Sequence, residues 1–236
     1  MTLEQIIEAN VNDVRARIRR AAEKGGRSAD DILLVAVTKT VPVSAIELAI
    51  QKKVNQFGEN RVQELIEKYD ILKERCNWHF IGRLQTNKVK YIVDKVSMVH
   101  SVDRLNLAQE IQKRAEAVGR VMDILVQVNI SGEDSKAGIS PGELVPFLKR
   151  IADFPNLKVK GLMTIAPFAE DPEDIRWVFR GLKNISIDIG RENIDNIDMH
   201  YLSMGMSNDF EVAIEEGSNI VRIGSSIFGE RHYPKG

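Results

Sequence analysis

Apolar positions along this chain switch between a helical and an extended period. Ile7, Val11, Val14, Ile18 and Ala21 recur at helical spacing, Thr2 and Gln5 have capping-box spacing ahead of them, and Gly25-Gly26 closes the segment. The next apolar run, Ile32-Leu-Leu-Val-Ala-Val-Thr-Lys39, is continuous, as in a strand covered on both faces. The succession then repeats. Pro42 and Ser44 open a short helix through Ile50. Val54 to Gly58 predicts a strand, and Asn60 to Leu72 a helix with Val62, Leu65, Ile66 and Tyr69 on one face. Strands follow at Trp78 to Ile81 and Met98 to Val102. Asp103 is placed to cap a helix carrying Leu107, Ile111, Ala115 and Val118. Asp123 to Ile130 predicts a strand, Pro141 the first turn of a helix to about Phe154, and Val159 to Ile165 a strand. A helix over Pro172 to Ile189, a strand over Met199 to Met204, a brief helix over Phe210 to Glu215 and a last strand over Ile220 to Phe228 complete the pattern.

Eight strands alternating with helices predict an α/β fold, a (β/α)8 TIM barrel. The expectation is a single domain over residues 1–236 with an extra N-terminal helix at about residues 2–25. An open doubly wound sheet is the alternative. No Pro/Ser-rich linker, low-complexity tract or short internal repeat divides the chain.

Composition narrows the class. A chain of 236 residues is normal for one α/β barrel and buries a full core. Its 33 basic and 34 acidic residues leave a charge of −1, which asks for neither nucleic acid nor an anionic membrane. One cysteine, Cys76, excludes an internal disulfide and suits a reducing, cytoplasmic compartment; no nucleophile signature surrounds it. The polar N-terminal segment reads as neither signal nor transit peptide, and no apolar run reaches transmembrane length.

The carboxyl ends of barrel strands carry the ligand site. The candidates there are Lys39, Glu59-Asn60, His79, Gly82-Arg83, Asp103, Asn129, Thr164, Ser203 to Ser207 and Arg222 to Ser226. A lysine leaving a hydrophobic strand can be partly withdrawn from water, which favours a neutral amine able to attack an aldehyde. The same position suits a lysine that simply reaches solvent. Ser203-Met-Gly-Met-Ser207 and Arg222-Ile-Gly-Ser-Ser226 both suit phosphate, because glycine admits an anion close to successive N–H groups and hydroxyls. Each turn alone is ordinary turn chemistry, and their joint place at the last two strands gives them weight. His79, His100, His200 and His232 lack metal-ligand spacing, and His100 and His200 read as hydrogen-bonded structural residues. Lys136 is a candidate secondary contact, with a solvated loop lysine as the plainer reading. Arg15, Arg17, Arg19, Arg20 and Glu215-Glu216 read as solvated faces, and Trp78 and Trp177 as packing residues.

Ala36-Val-Thr-Lys39, Phe57-Gly-Glu-Asn60, Trp78-His-Phe-Ile-Gly-Arg-Leu-Gln-Thr-Asn-Lys88, Ser135-Lys-Ala-Gly138, Gly161-Leu-Met163, Leu202-Ser-Met-Gly-Met-Ser-Asn-Asp-Phe210 and Val221-Arg-Ile-Gly-Ser-Ser-Ile-Phe-Gly229 stand in this order. Together they resemble the pyridoxal phosphate homeostasis protein family over nearly the whole chain. Ser225 stands where threonine is the commoner expectation, which keeps the hydroxyl. The resemblance implies pyridoxal 5'-phosphate (PLP) on a barrel similar to the N-terminal domain of alanine racemases. It implies that Lys39 holds PLP as a Schiff base. The Ser203 to Ser207 turn (Ser203, Met204, Gly205 and Ser207) and Gly224-Ser225 would hold the phosphate. Arg222 would face the pyridine nitrogen, and Asn60 and His79 would line the pocket. A part in vitamin B6 and amino-acid homeostasis without established turnover is implied, with PLP-dependent apo-enzymes as candidate recipients and a monomer or weak homodimer as the state.

Arg222 matters to that expectation. An aspartate beside the pyridine nitrogen keeps it protonated and makes PLP a strong electron sink, whereas an arginine only donates hydrogen bonds. Racemases of this barrel type, as the resemblance implies, add a second acid/base group from a second domain of a partner subunit. The sequence ends at Gly236, directly after the last predicted strand, so a carrier of PLP is expected over a racemase. Two enzyme readings stay open: a racemase or other PLP enzyme on a lone barrel, and an aldolase using Lys39 without PLP on a phosphorylated sugar.

Overall fold

The computed structural model describes residues 1–133 and 136–229. Eight parallel strands close into a barrel in chain order: β1 (Leu33–Val37), β2 (Gln56–Glu59), β3 (Asn77–Phe80), β4 (Met98–Val102), β5 (Met122–Gln127), β6 (Leu157–Met163), β7 (Ile197–Ser203) and β8 (Ile220–Ile223). Around them run α1 (Leu3–Lys24), α2 (Val43–Gln51), α3 (Val62–Leu72), α4 (Leu105–Ala117), α5 (Pro141–Ile151), α6 (Arg176–Arg191), α7 (Phe210–Glu215) and α8 (Ser225–Phe228). Leu33 to Ala36 pair with Ile220 to Ile223, which closes the ring and excludes an open sheet. The fold is therefore the single-domain (β/α)8 barrel that the alternating pattern predicts.

Strand alternation sorts the side chains into two cores. Ala36, Val99, Ile124, Leu162 and Val221 belong to the large core between strands and helices. Their neighbours Val35, Met98, Leu125, Met163 and Ile220 form a separate cluster inside the barrel. His79, His100, Ser203 and Arg222 lie on the same inward face, and all four are buried.

Several boundaries differ from the sequence pattern for local reasons. The last strand stops at Ile223, because the Ile227 and Phe228 N–H groups both donate to the Gly224 carbonyl and turn the chain into α8. Asp103 does not cap α4. Arg104 takes the N-cap position, and the Asp103 carboxylate accepts from its guanidinium instead. Val118 lies past the end of α4 and is exposed. A 3-10 stretch over Thr86–Tyr91, unmarked by apolar periodicity, fills the connection from β3 to β4.

The charged faces are less plain than their composition suggests. α1 has the expected capping box and buries Ile7, Val11, Val14, Ile18 and Ala21. Arg19 and Arg20 are exposed, but Arg17 reaches Glu211 at 2.7 Å and lies over the Phe210 ring, and Arg15 donates to the Lys53 carbonyl. Glu215 and Glu216 are half-buried rather than solvated. Arg176 binds both, Lys24 joins Glu215 and Arg180 joins Glu216, all at 2.7–3.0 Å. Trp78 is a packing residue, whereas Trp177 is 53% exposed on α6 and is not.

Candidate functional site

Lys39 sits two residues past β1, half-buried in a turn whose neighbours are tied down on both sides. Thr38 is buried, and its hydroxyl donates to Glu59 Oε1 at 2.6 Å. Lys68 Nζ, from α3, donates to the Thr38 carbonyl at 2.7 Å, to Glu59 Oε1 at 2.6 Å and to Glu64 Oε2 at 3.2 Å. Glu64 Oε2 also accepts from the Thr40 N–H at 2.7 Å, where Thr40 adopts a left-handed φ of 62°. A buried ion pair thus fixes the backbone on either side of Lys39.

Arg222 is 4% exposed inside the barrel. Its Nη1 donates to Ser203 Oγ at 2.6 Å and its Nη2 to the Thr164 carbonyl at 2.9 Å. Burial pushes the guanidinium down to about 10, which leaves it cationic at neutral pH. Ser203 Oγ lies 3.0 Å from His100 Nδ1, His100 Nε2 lies 2.9 Å from His79 Nδ1, and His79 Nε2 lies 2.9 Å from Gln56 Oε1.

Burial holds His79 down at about 4 and His100 well below the ordinary imidazole range; the His79 and Arg222 charges add to the effect at His100. In the unfolded chain His79 titrates near 6.5. Between the two values the unfolded chain binds more protons, so this stability is complete above about pH 6.5 and is lost as pH falls towards 4. At about 1.4 kcal/mol per unit, His79 alone is expected to remove about 2 kcal/mol at about pH 5. Urea midpoints at about pH 7.5 and about pH 5 check this, and equal midpoints would mean that His79 is not buried neutral.

The two turns that suit phosphate meet. Ser207 Oγ accepts from the Gly224 N–H at 3.3 Å and, more weakly, from the Ser226 N–H at 3.5 Å. Gly205 has φ +94°, and a β-carbon there would fall 2.7 Å from Ala213 Cβ and 2.8 Å from Phe210 Cα, so only glycine fits the turn. Ala36 pairs with Ile223 on β8 and with Phe57 on β2. Lys39, Gly224-Ser225 and Asn60 therefore leave three adjacent strands at the same barrel end. Two expected phosphate residues are engaged elsewhere: the Ser203 hydroxyl holds Arg222, and the Met204 N–H donates to the Ile220 carbonyl.

A cavity of ≈ 210 Å³ opens at the mouth between Asn60, Arg83, Gln127, Asn129 and Lys136. Asn60 Oδ1 is buried there without a hydrogen-bond partner among the described residues. Lys136 turns inward rather than into solvent: its Nζ is buried, 3.3 Å from Glu133 Oε1. Ser135 and His232 lie outside the described residues. His200 is exposed and meets Tyr201 edge to face, with no ring hydrogen bond among the described residues. Burial raises the Cys76 thiol to about 11, which makes it a poor nucleophile. Among the described residues no group of three or more His, Cys, Asp or Glu side chains is placed to hold a metal ion. None of their helices is long and apolar enough to cross a membrane.

Sequence reasoning missed Gln56, Lys68 and the joining role of Ser203. Lys68 is the one with a readable signal, since it falls on the buried face of α3 between Leu65 and Leu72.

A family model described as the alanine racemase N-terminal domain matches residues 7–232. The pyridoxal phosphate homeostasis protein of Aquifex aeolicus is 50% identical over 221 residues, 93% of this chain and 96% of that one. This chain belongs to the pyridoxal phosphate homeostasis protein family. The Escherichia coli member is 39% identical, covering 97% of this chain and 98% of its own. Among solved structures, PipY of Synechococcus elongatus with PLP bound superposes with a TM-score of 0.83 at 29% identity, over 94% of this chain and 100% of that one. Clostridium difficile alanine racemase, at a TM-score of 0.73 and 20% identity, shares the fold over 98% of this chain but only 57% of its own. The homeostasis family is thus a barrel of racemase type whose members here carry a homeostasis name and not an enzyme name.

Proposed function

We propose that this protein binds PLP at the carboxyl end of the barrel and serves intracellular PLP and amino-acid homeostasis as a carrier without turnover. The observation that carries the reading is the convergence of Lys39, the Ser207–Gly224 contact and buried Arg222 on one barrel end. These residues fit a phosphorylated pyridine aldehyde. Lys39 offers the amine. Gly205 and Ser225 offer backbone N–H groups and Ser207 and Ser225 hydroxyls for the phosphate, with Gly224 tying the two turns together. Arg222 offers a fixed donor to the ring nitrogen, with Ser203 holding it from beneath and Met204 anchoring the turn to β8. Asn60 brings a buried oxygen, unpaired among the described residues, to the mouth, and His79 stands in the barrel floor.

Bound there, PLP supplies an aldehyde that condenses with an amine and a ring that withdraws electrons. Arg222 cannot accept a proton from the ring side and so disfavours a protonated ring nitrogen, which limits that withdrawal. Holding the cofactor is thereby favoured over driving carbanion chemistry. PLP-dependent apo-enzymes are the proposed recipients, the cytoplasm the compartment, and a monomer or weak homodimer the state.

The purified protein is expected to be yellow with PLP. Borohydride reduction should leave a phosphopyridoxyl group on the Lys39 peptide, and Lys39→Ala should remove that label while the circular dichroism spectrum stays unchanged. A stoichiometric label on another lysine in Lys39→Ala would displace the site, and a colourless, unlabelled wild type would end the PLP reading.

A further inference from the structure

We infer that Gln56, His79, His100 and Ser203 form a one-way hydrogen-bond relay that positions Arg222, running from one end of the barrel to the other. Bond accounting fixes its direction. A guanidinium has only donors, so Ser203 Oγ accepts from Arg222 Nη1. The Ser203 hydroxyl proton then has His100 Nδ1 as its acceptor. An imidazole that accepts at Nδ1 carries its proton on Nε2, and His100 Nε2 donates to His79 Nδ1. By the same rule His79 donates from Nε2, and the Gln56 oxygen receives that bond. Both rings and the Ser203 hydroxyl are then satisfied at every polar atom.

The reverse direction fails this accounting. It would leave the Ser203 proton without an acceptor among the described residues, in a side chain with no exposed surface. An unmade bond at a buried donor is what folded proteins avoid.

The relay joins places with different exposure. His100 and Ser203 are fully buried, and His79 and Arg222 nearly so. Gln56 is half-buried at the first residue of β2, beside a cavity of ≈ 300 Å³ shared with Arg15, Lys53 and Asn55. That is the amino end of the barrel, opposite Lys39. Arg222 is thus steered from a partly wet residue across the barrel. Gln56, His79 and His100 are positioning residues, since they act on the proposed ligand only through Ser203 and Arg222. The consequence at the ring rests on the PLP reading, whereas the two tautomers are a property of the protein alone.

Long-range proton–nitrogen correlation on 15N-labelled protein without PLP, at about pH 8 where ordinary imidazoles are neutral, tests the direction. Both His79 and His100 are expected as Nε2–H tautomers, and either ring protonated at Nδ1 instead overturns the relay. Two variants then test the coupling. Gln56→Glu, which can only accept, should keep both tautomers. Gln56→Lys, which can only donate, should turn both rings to Nδ1–H. His100 would then compete for Ser203 Oγ, and PLP binding should weaken about tenfold, the worth of about one net hydrogen bond. Wild-type tautomers in Gln56→Lys would mean that the rings are set locally, which overturns the coupling. A wild type with both Nε2–H tautomers that binds no PLP would sink the PLP reading and leave the relay standing.

Discussion

Lys68→Ala is expected to lose about 3–5 kcal/mol of stability, because it strands a buried charge. Glu59 has no exposed surface, and Lys68 is the cation bonded to it, at 2.6 Å. After the substitution Glu59 keeps the Thr38 hydroxyl and its neighbour's N–H at Asn60 as donors. A buried carboxylate left without its cation costs stability at neutral pH. The companion variant Lys68→Met with Glu59→Gln removes both charges and should recover most of the loss, since a matched apolar or neutral pair is often no worse than a buried ion pair. Urea unfolding at neutral pH reads both. A single variant within about 1 kcal/mol of wild type would show that Glu59 does not depend on Lys68. The same substitution frees the Thr38 carbonyl and loosens the turn that carries Lys39.

Gly161→Ala is expected to abolish the folded protein, a loss above about 4 kcal/mol. Gly161 sits in β6 with φ +149°, and a β-carbon there would stand 1.9 Å from the Tyr201 carbonyl oxygen and 2.7 Å from its carbon. These are backbone atoms of the next strand, at the point where the β6–β7 register shifts. They cannot yield without parting two strands of the barrel. Thr164 follows directly after β6, and its carbonyl is one of the two anchors of Arg222. Soluble yield and the thermal midpoint are the measurements, and an ordinary cooperative melt near the wild-type midpoint would refute the claim.

Most of the architecture was legible because the strands are short apolar runs and the helices carry one apolar stripe. Helix α1 could be read from Thr2 to its last turn, as both its cap chemistry and its buried face lie within one local segment. Where sequence reasoning failed, the deciding partner lay far along the chain. Nothing near Ser203 announces His100, which is 103 positions away, whereas Lys68, nine positions from Glu59, left a trace on the buried face of α3. The same holds for Glu215 and Glu216, whose arginines come from α6. Local signals misled at Asp103, where a good capping residue precedes a helix that starts one position later. For the site, strand ends and glycine turns were visible as candidates, because backbone geometry constrains local residue choice. The relay beneath them was not, since it is made by barrel closure.

Helix α1 lies against α7 and α8, the segments that follow the two Gly/Ser turns. Arg17 grips Glu211 of α7, and the Asn10 side-chain amide donates to the Ile227 carbonyl of α8 at 2.9 Å. Helices α1, α7 and α8 therefore behave as one mechanical piece. Trimming or burdening the first helix would register as a weakened hold on the proposed phosphate, with the distant strands β3 to β5 left undisturbed.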